Sequence, residues 1–349
     1  MADKTVVLVT GVAGYWGSRV ARRLMSEPDY HVIGLDMEPP EEGDDLDFIQ
    51  ADIRNPLMAE LLESEGVSVV CHLQFRERVS QSEDAFDLNV IGTMKLFGAC
   101  TQAGVEKIVV RSSTAVYGAN PDNSALLTEE TPLRGSRKYG SNRDWLELEA
   151  FCNGFRGQHP DINLAVLRFP NIVGPTADTP MTRFLKLQPP VILLGFDPML
   201  QFIHEDDVVE ALVHAVLNDA PGVFNVAAEG PMPLTRVLTL ARKLPLPILH
   251  PLAYLGLDLL KGSPLRPSRF VPIEWDYLRY PWVADLSKMR EEMGFAPRYM
   301  TDELLREFAG PRHTDQNGDG LADDEARLQD TIDRRRRARD QATEGEQGE

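Results

Sequence analysis

The stretch Thr5-Val-Val-Leu-Val-Thr-Gly11-Val-Ala-Gly14-Tyr-Trp-Gly17 decides the fold of this chain. Its apolar run at 6–9 is long enough for one buried strand, three glycines follow at three-residue spacing, and 18–25 has a helical pattern. Glycine permits a tight turn and the close approach of a pyrophosphate, and the helix N-terminus offers free N–H groups and positive dipole charge. The spacing therefore predicts a nucleotide phosphate site. The alternative is a glycine turn that holds no ligand.

A second apolar run, His31-Val-Ile-Gly-Leu-Asp36, ends in an acid nineteen residues after Gly17. A carboxylate at this place can accept hydrogen bonds from the hydroxyls of an adenosine ribose, and it repels a 2′-phosphate. Asp36 therefore favours NAD over NADP as the dinucleotide. The alternative is an ordinary acid at the end of a strand.

Composition bounds the class of protein. The 349 residues include 36 basic and 54 acidic side chains, which gives a net charge of −18. This length allows one large or two ordinary domains, and the acidity argues against a general binder of nucleic acid or anionic membranes. No apolar run approaches membrane-spanning length, and the first strand begins too early for a signal peptide. These features predict a cytoplasmic protein with no nucleic-acid or membrane partner.

Two groups of residues that could ligate a metal are assigned other roles. Cys71, Cys100 and Cys152 are far apart and lack zinc spacing, so we expect buried, reduced thiols. The acids of His204-Glu-Asp206-Asp207 stand at a predicted helix N-terminus, where they complement the dipole. No metal site is therefore predicted in the folded part of the chain.

Strand and helix patterns alternate along the first half of the chain. Apolar runs at 31–36, 48–54, 67–73 and 107–113 predict strands, and helices are predicted at 56–65 and 84–103, the long helix being stopped by Gly104. Near-continuous apolar strands that alternate with helices are typical of a parallel sheet covered on both faces. The fold class predicted is therefore α/β, with a doubly wound parallel sheet.

The second half is less regular. A helix is predicted at 144–155, strands at 163–168 and 222–227, and a helix at 205–217; further helices are predicted at 234–244 and 252–260, and 284–293 and 301–308 complete the predicted fold. We predict a dinucleotide-binding Rossmann domain over 1–175, to which 202–228 return. A smaller C-terminal substrate domain is predicted over 176–310, above the carboxyl ends of the strands.

The last segment, 311–349, is rich in charge and poor in apolar residues, so it is predicted to be a disordered tail. Within it, 315–324 match the first half of a calcium loop, D-x-N-x-D-G, but the twelfth position is Ala326 instead of a glutamate. A solvated acidic turn is the default interpretation, and specific calcium binding stays open.

A series of short motifs runs through residues 4–308 in a specific order and spacing. They are Thr10-Gly11-x-x-Gly14-x-x-Gly17, Asp36, Asp52-Ile53-Arg54, His72-Leu73, Asn89-Val-x-Gly92-Thr93, Ser112-Ser113-Thr-Ala-Val-Tyr117-Gly118, Leu167-Arg168-x-x-Asn171-x-x-Gly174-Pro175 and Phe202-Ile-His204-x-x-Asp207. Together they resemble the extended short-chain dehydrogenase/reductases, which include NAD-dependent epimerases and dehydratases. The segments at 51–56 and 244–247 look like those of UDP-glucose 4-epimerase-like proteins from an atypical bacterial subgroup.

The resemblance implies a role for each matching residue in binding NAD. The glycine turn would wrap the pyrophosphate, and Asp36 would bind the adenosine ribose. Asp52 and Ile53 would flank the adenine, and Leu73 and Asn89 would line the groove that holds the dinucleotide. The implied cofactor residues are Gly11, Gly14, Tyr15, Trp16, Gly17, Asp36, Asp52, Ile53, Leu73, Asn89, Tyr139 and Arg143.

The resemblance also implies a catalytic set. Ser113 would hold the substrate oxygen, and Tyr139 would be the acid/base for hydride transfer at a secondary alcohol carbon. A phenol has a reference pKa of about 10, and a cation one helical turn away favours the phenolate. The family uses Tyr-x-x-x-Lys, whereas this chain has Tyr139-Gly-Ser-Asn-Arg143. Guanidinium and ammonium differ in shape, so an NAD-binding sensor or scaffold with weak or no catalysis is the alternative function.

The substrate is less well indicated than the cofactor. Family members that act on sugar nucleotides have a Gly-Asp pair shortly before the final Ala-Asp, and here the segment is Tyr277-Leu-Arg279-Tyr-Pro-Trp-Val-Ala284-Asp285. The Gly-Asp pair is absent from this segment, and Arg279 is the candidate residue there for binding the diphosphate of the substrate. The predicted partner is a small-molecule substrate, either a nucleotide sugar or a more apolar alcohol. By analogy with the family, helices at 84–103 and 139–155 could pair across a homodimer.

Overall fold

The computed structural model describes residues 4–40, 45–78, 80–249 and 273–310. The predicted tail at 311–349, its candidate calcium loop and the helix predicted at 252–260 lie outside the described residues. The strands are β1 (Thr5–Thr10), β2 (Tyr30–Asp36), β3 (Asp47–Gln50), β4 (Val67–His72), β5 (Lys107–Ser113), β6 (Asn163–Phe169), β7 (Asn171–Val173), β8 (Val191–Leu193), β9 (Met199–Leu200), β10 (Phe202–His204), β11 (Gly222–Asn225), β12 (Met232–Pro233) and β13 (Leu246–Ile248).

The helices lie between these strands. They are α1 (Tyr15–Met25), α2 (Met58–Ser64), α3 (Glu83–Phe86), α4 (Thr93–Ala103), α5 (Gly140–Gln158), α6 (Pro180–Lys186), α7 (Glu205–Leu217), α8 (Leu234–Leu240), α9 (Ser287–Glu291) and α10 (Thr301–Phe308). Asp87–Gly92 forms a π-helical turn, and Thr114–Tyr117 and Trp275–Leu278 form 3-10 turns.

Seven strands form the central sheet, in the order β11-β6-β5-β4-β1-β2-β3. All of its neighbouring strands run parallel. From β1 the chain progresses outward through β2 and β3, and then returns to β4 and progresses the other way. This reversal between β1 and β4 is the topological switch point at which open α/β sheets bind ligands, outside the carboxyl ends of their strands. The predicted doubly wound parallel sheet is confirmed.

Apolar side chains of the sheet supply a core on each face. In β1, Val7 and Val9 join the cluster beneath α1 and α7, whereas Leu8 joins the cluster beneath α2, α4 and α5. Successive strand residues point to opposite faces, and a strand that is covered on both faces must be apolar at every position. The three cysteines lie in these cores with free thiols, as predicted, and burial raises the pKa of Cys71 and Cys100 to about 12.

A third hydrophobic cluster is built mostly from the chain after β6. It joins α6, α8 and α10 to the short strands around them, with Phe184, Leu200, Leu238 and Leu304 at its centre. The division between two domains at 175 and 176 stays a prediction. The 3-10 turn at Trp275–Leu278 reaches the carboxyl end of β5, where the hydroxyl of Tyr277 donates a hydrogen bond to the carbonyl oxygen of Ala115 at 3.2 Å.

Two predicted elements end or break earlier than expected, each because of a specific contact. The third strand stops at Gln50, since the Asp52 carboxylate accepts the backbone N–H of Arg54 at 2.9 Å and closes a turn. The long helix predicted at 84–103 is three pieces, α3, a π-helical turn and α4. At the π-helical turn, a Cβ on Gly92 would lie 2.8 Å from Cδ1 of Ile53, so the helix approaches the loop after β3 closely.

Two more predicted helices have different bounds. The helix predicted to begin at 144 begins at Gly140, with Tyr139 in extended conformation immediately before it. The helix predicted at 234–244 ends at Leu240. Of 284–293, Ser287–Glu291 is helical, and Ala284 pairs with Leu127 in a parallel bridge. That bridge connects the C-terminal part of the chain to the loop that follows β5.

Candidate functional site

The glycine turn at the carboxyl end of β1 has no room for larger side chains. Gly11 has φ of +79°, a conformation that L side chains rarely adopt. A Cβ on Gly17 would lie 2.1 Å from the carbonyl oxygen of Gly11, and the N–H of Gly14 donates to that same oxygen at 3.0 Å. The backbone of the turn is thus folded onto the first turn of α1, whose free N–H groups form an anion site.

Asp36 lies beside this turn, at the carboxyl end of β2. Its side chain is almost fully buried, and its two carboxylate oxygens accept the backbone N–H groups of Ala13 at 3.0 Å and Met37 at 2.7 Å. These two bonds fix the carboxylate where the adenosine ribose would lie in a doubly wound fold. The residues present therefore fit an NAD molecule at this end of the groove.

Asp52 and Ile53 follow β3 but have different environments. Three hydrogen bonds from the Arg54 side chain and one from its backbone lower the pKa of Asp52. Ile53 is fully buried and packs beneath Gly92. The side chain of Asp52 is 30% exposed, whereas that of Ile53 belongs to the core.

Leu73 and Asn89 border the loop after β4, which passes close to the glycine turn. The hydroxyl of Thr10 accepts the N–H of Leu73 at 3.1 Å and is 2.8 Å from Nδ1 of His72. Burial lowers the pKa of His72 to about 4, so this bridge between β1 and β4 stays uncharged near neutral pH. The side chain of Asn89 bonds both backbone groups of Arg76 and the carboxylate of Asp144, at 2.7 to 3.0 Å.

The two aromatic residues of the turn point to different partners. The hydroxyl of Tyr15 donates to the carboxylate of Glu205 at 2.7 Å and also lies 2.7 Å from the hydroxyl of Thr176. Burial is the main cause that raises the pKa of Tyr15 to about 12. Trp16 packs on the core beneath α1 and α7. Tyr15 thus connects the glycine turn to the N-terminus of α7.

Tyr277 links the turn that follows Ser113 to the helix that begins after Tyr139. The hydroxyl of Ser113, at the end of β5, accepts the N–H of Ala115 at 3.2 Å. Tyr277 donates to the carbonyl oxygen of Ala115 at 3.2 Å and accepts from the side chain of Asn142, in the first turn of α5, at 3.4 Å. The turn that carries Ser113 and the helix start that follows Tyr139 are therefore joined by one buried phenol.

Arg143 extends from α5 to another helix. Its guanidinium donates to the carboxylate of Glu83 at 3.1 Å, to the carbonyl oxygen of Ser82 at 3.2 Å and to the carboxylate of Asp144 at 3.1 Å. It also lies over the ring of Phe86, with 4.5 Å between the guanidinium carbon and the ring centroid. Two carboxylates thus offset the positive charge that the Tyr-x-x-x-Arg spacing brings to the helix.

Sequence reasoning missed Glu274. Its carboxylate accepts a hydrogen bond from the amide of Asn142 at 2.5 Å, one residue from Arg143. Burial, together with the nearby charge of Asp276, raises the pKa of Glu274 to about 8. Glu274 is therefore largely protonated at neutral pH, and no sequence motif marks it.

A buried ion pair between β6 and α5 lies next to the end of β5. Arg168 of β6 donates to the carboxylate of Glu149 on α5 with 2.5 to 3.0 Å contacts, and both residues are almost fully buried. The hydroxyl of Ser112, next to Ser113, donates to the same carboxylate at 2.5 Å. Breaking such a pair leaves an uncompensated buried charge, so the pair fixes β5, β6 and α5 relative to one another.

Comparisons with known proteins show the family to which the chain belongs. The model of the NAD dependent epimerase/dehydratase family matches residues 7–227. The chain belongs to this family of enzymes, whose cofactor is NAD, and the predicted family, enzyme class and cofactor are confirmed.

Individual relatives span most of the chain. An uncharacterised protein of Mycobacterium tuberculosis is 31% identical over 316 residues, which cover 87% of this chain and 83% of that protein. The solved structure of UDP-glucose 4-epimerase from Thermotoga maritima, with UDP-glucose, has a TM-score of 0.67 at 20% identity and covers 87% of this chain and 97% of that one. The dTDP-glucose 4,6-dehydratase of Bacillus anthracis, solved with NAD, has a TM-score of 0.65 at 19% identity, covering 87% and 95%.

Across the part of the chain that the structure describes, no helix has the length and apolar character needed to cross a bilayer.

Proposed function

We propose that this enzyme takes hydride from a secondary alcohol carbon of a nucleotide sugar and returns it to the same molecule, with Tyr139 as acid/base and Ser113 as the second group on the reacting oxygen. The observation that carries the proposal is the Tyr277 bridge, which joins the Ser113 turn to the start of α5. This bridge supports placing both hydroxyls at the carboxyl end of β5, on the same edge of the sheet as the glycine turn.

The proposed step divides the work between cofactor and chain. NAD, when bound, supplies the hydride acceptor. Tyr139 takes the proton from the substrate hydroxyl as the carbon–hydrogen bond breaks, and it gives the proton back when hydride returns. Ser113 donates a hydrogen bond to the same substrate oxygen, which orients the alcohol.

In the proposed reaction, Arg143 takes the place of the family's lysine as the cation near Tyr139. A charge near the phenol favours the phenolate, and Arg143 stays protonated at any working pH. Because its guanidinium is also bonded to Glu83 and Asp144, its effect on Tyr139 is weaker than that of an unpaired lysine. The same pairing favours a second candidate function, an NAD-binding protein that turns over slowly or not at all.

Substrate class is proposed from the solved relatives and the C-terminal part of the chain. The Thermotoga maritima epimerase was solved with UDP-glucose. In this chain Arg279, the candidate diphosphate grip, stacks on Phe196 and Tyr280 and has a nitrogen 3.6 Å from a carboxylate oxygen of Asp276. A guanidinium beside aromatic rings suits a nucleoside diphosphate, and a more apolar alcohol is the second substrate class to test.

Conversion assays test the proposed function. Purified enzyme with NAD is incubated with a panel of nucleotide sugars and apolar secondary alcohols, and the products are separated by chromatography and mass spectrometry. We expect wild type to convert at least one nucleotide sugar and Tyr139→Phe to be at least about 100-fold slower, the size typical of losing a general acid/base. Tyr30→Phe, at the amino end of β2, is the matched control and should not change the rate.

The same assay separates the two candidate functions. Bound NAD with no conversion of any panel member, by wild type or by Arg143→Lys, would contradict the epimerase/dehydratase proposal and support the non-catalytic one. Dimerisation through α4 and α5 stays a prediction, as does the cytoplasmic location.

A further inference from the structure

A buried guanidinium lies at the carboxyl end of β5, two residues before Ser113. Arg111 is only 6% exposed, and it follows the apolar residues 108–110 of the strand. Since strand residues alternate between faces, Arg111 and Ser113 lie on the same face of the sheet. The proposed function gives Arg111 no role.

Three elements converge on this side chain. A nitrogen of Arg111 donates to a carboxylate oxygen of Glu77, in the loop after β4, at 2.8 Å. The guanidinium carbon is 5.5 Å from the ring centroid of Trp16 and 5.2 Å from that of Trp145. Trp16 belongs to the glycine turn region and Trp145 to α5, so two indole rings hold the cation by cation–π attraction between the phosphate turn and the catalytic helix.

Polar atoms of this cluster lack partners. Within the described residues, Nε of Arg111 and Oε1 of Gln74 are both buried and make no hydrogen bond. Gln74 borders the glycine turn, because a Cβ on Gly11 would lie 2.8 Å from its Cα. Buried polar groups nearly always have a hydrogen-bond partner. The unpaired donor of Arg111 and the unpaired acceptor of Gln74 therefore indicate a polar ligand at this place.

The position of Arg111 in the sheet indicates which ligand this cluster would bind. Asp36 marks the adenosine side of the switch point, over β1 and β2, and β4 and β5 lie on the opposite side. A dinucleotide that crosses the switch point from Asp36 has its phosphates at the glycine turn after β1 and its nicotinamide half over β4 and β5. Arg111 contacts the ring of Trp16 beside the glycine turn, so it brings to the β5 side of the phosphates the charge that phosphate oxygens bind best.

We propose that Arg111 is an anion-binding residue of the cofactor groove, which donates to a phosphate oxygen of NAD, and that Glu77 holds the guanidinium when the groove is empty. Glu77 is suited to leave, because its carboxylate is 44% exposed and gains solvation on release, whereas Arg111 is fixed by the two indoles. The inference rests on the cofactor of the proposed function but not on its turnover.

Binding measurements test this inference without any substrate. NAD and ADP-ribose are titrated by calorimetry, because ADP-ribose keeps both phosphates and lacks the nicotinamide. We expect Arg111→Met to weaken the binding of both ligands by about tenfold or more, the size of a lost charged hydrogen bond. Glu77→Gln should tighten both by about twofold to fivefold, since it removes the competing carboxylate.

Matched controls come from another ion pair, Arg290 with Glu229, whose two members are each nearly half exposed. Arg290→Met and Glu229→Gln should leave both affinities unchanged. If Arg111→Met does not fold, Glu77→Gln still decides the question, because its expected twofold to fivefold tightening is measured against wild type alone.

Two results would overturn the inference. One is an effect below twofold for both Arg111→Met and Glu77→Gln. The other is a loss confined to NAD with ADP-ribose unaffected, which would place Arg111 against the nicotinamide instead of a phosphate. Wild type that binds both ligands but converts no sugar would contradict the proposed function and leave this inference standing.

Discussion

Glu274 gives the candidate site a titration that can be measured as stability. Its pKa is about 8 in the folded chain because of burial and the Asp276 charge, and about 4.3 in an unfolded chain. Between about pH 4.3 and about pH 8, Glu274 of the folded chain therefore keeps a proton that the unfolded chain has released. The stabilisation from this proton is fully present below the unfolded pKa and is lost as pH rises through about 8.

The prediction concerns the difference between wild type and Glu274→Gln. As pH rises from about 5 to about 8.5, the free energy of unfolding of wild type should fall relative to that of the glutamine variant, which cannot ionise. Urea unfolding midpoints at several pH values measure both. Parallel curves for the two proteins would show that the Glu274 carboxyl is not held in its protonated form.

At the residue scale, sequence predicted backbone roles better than side-chain directions. Gly11 and Gly17 were predictable because a tight turn with no room for Cβ atoms leaves few other choices. Arg143 was predicted to serve Tyr139, but its direction depends on Glu83 and Phe86, which another helix supplies from sixty residues away in sequence. Contacts of this kind are fixed only when the elements pack.

At the element scale, the start of α1 depends on two glycines that touch. In Gly17→Ala the new Cβ would meet the Gly11 carbonyl oxygen at 2.1 Å, so the turn and the helix must move apart. We expect a loss of stability of about 1–3 kcal/mol, as for other overpacked sites, together with a loss of NAD affinity of at least about tenfold.

The control is Gly98→Ala in α4, where an added Cβ would meet nothing within 4 Å. Alanine suits a helix better than glycine by up to about 1 kcal/mol, so this variant should be as stable as wild type or more stable, with NAD affinity unchanged. Thermal unfolding and calorimetry measure both variants. Equal behaviour of the two would contradict the geometry of the turn.

Elements in the first half were predictable because the buried strands are apolar at successive positions and each helix has an apolar stripe along one face. The interruption between α3 and α4 was not, since it arises where Gly92 meets Ile53 from a different part of the chain. The third strand was predicted too long because Asp52 and Arg54 close a turn that apolar pattern alone does not show.

At the scale of the whole molecule, the order of motifs predicted the family and the parallel sheet, and both are confirmed. The chain after β6 was harder, because its short strands and brief helices have little periodicity, and contacts such as that of Tyr277 with Ala115 are fixed only when the chain packs. The smaller substrate domain and the substrate itself accordingly stay proposals.

A hydride label tests the proposed reaction most directly. The substrate is a nucleotide sugar that the enzyme converts, prepared with deuterium on the carbon of its secondary alcohol and converted in ordinary water with bound NAD. Because hydride leaves and returns within one site, we predict that nearly all deuterium stays in the sugar product, as mass spectrometry will show. Deuterium lost to solvent, or recovered on released NADH beside a ketone product, would contradict the proposal.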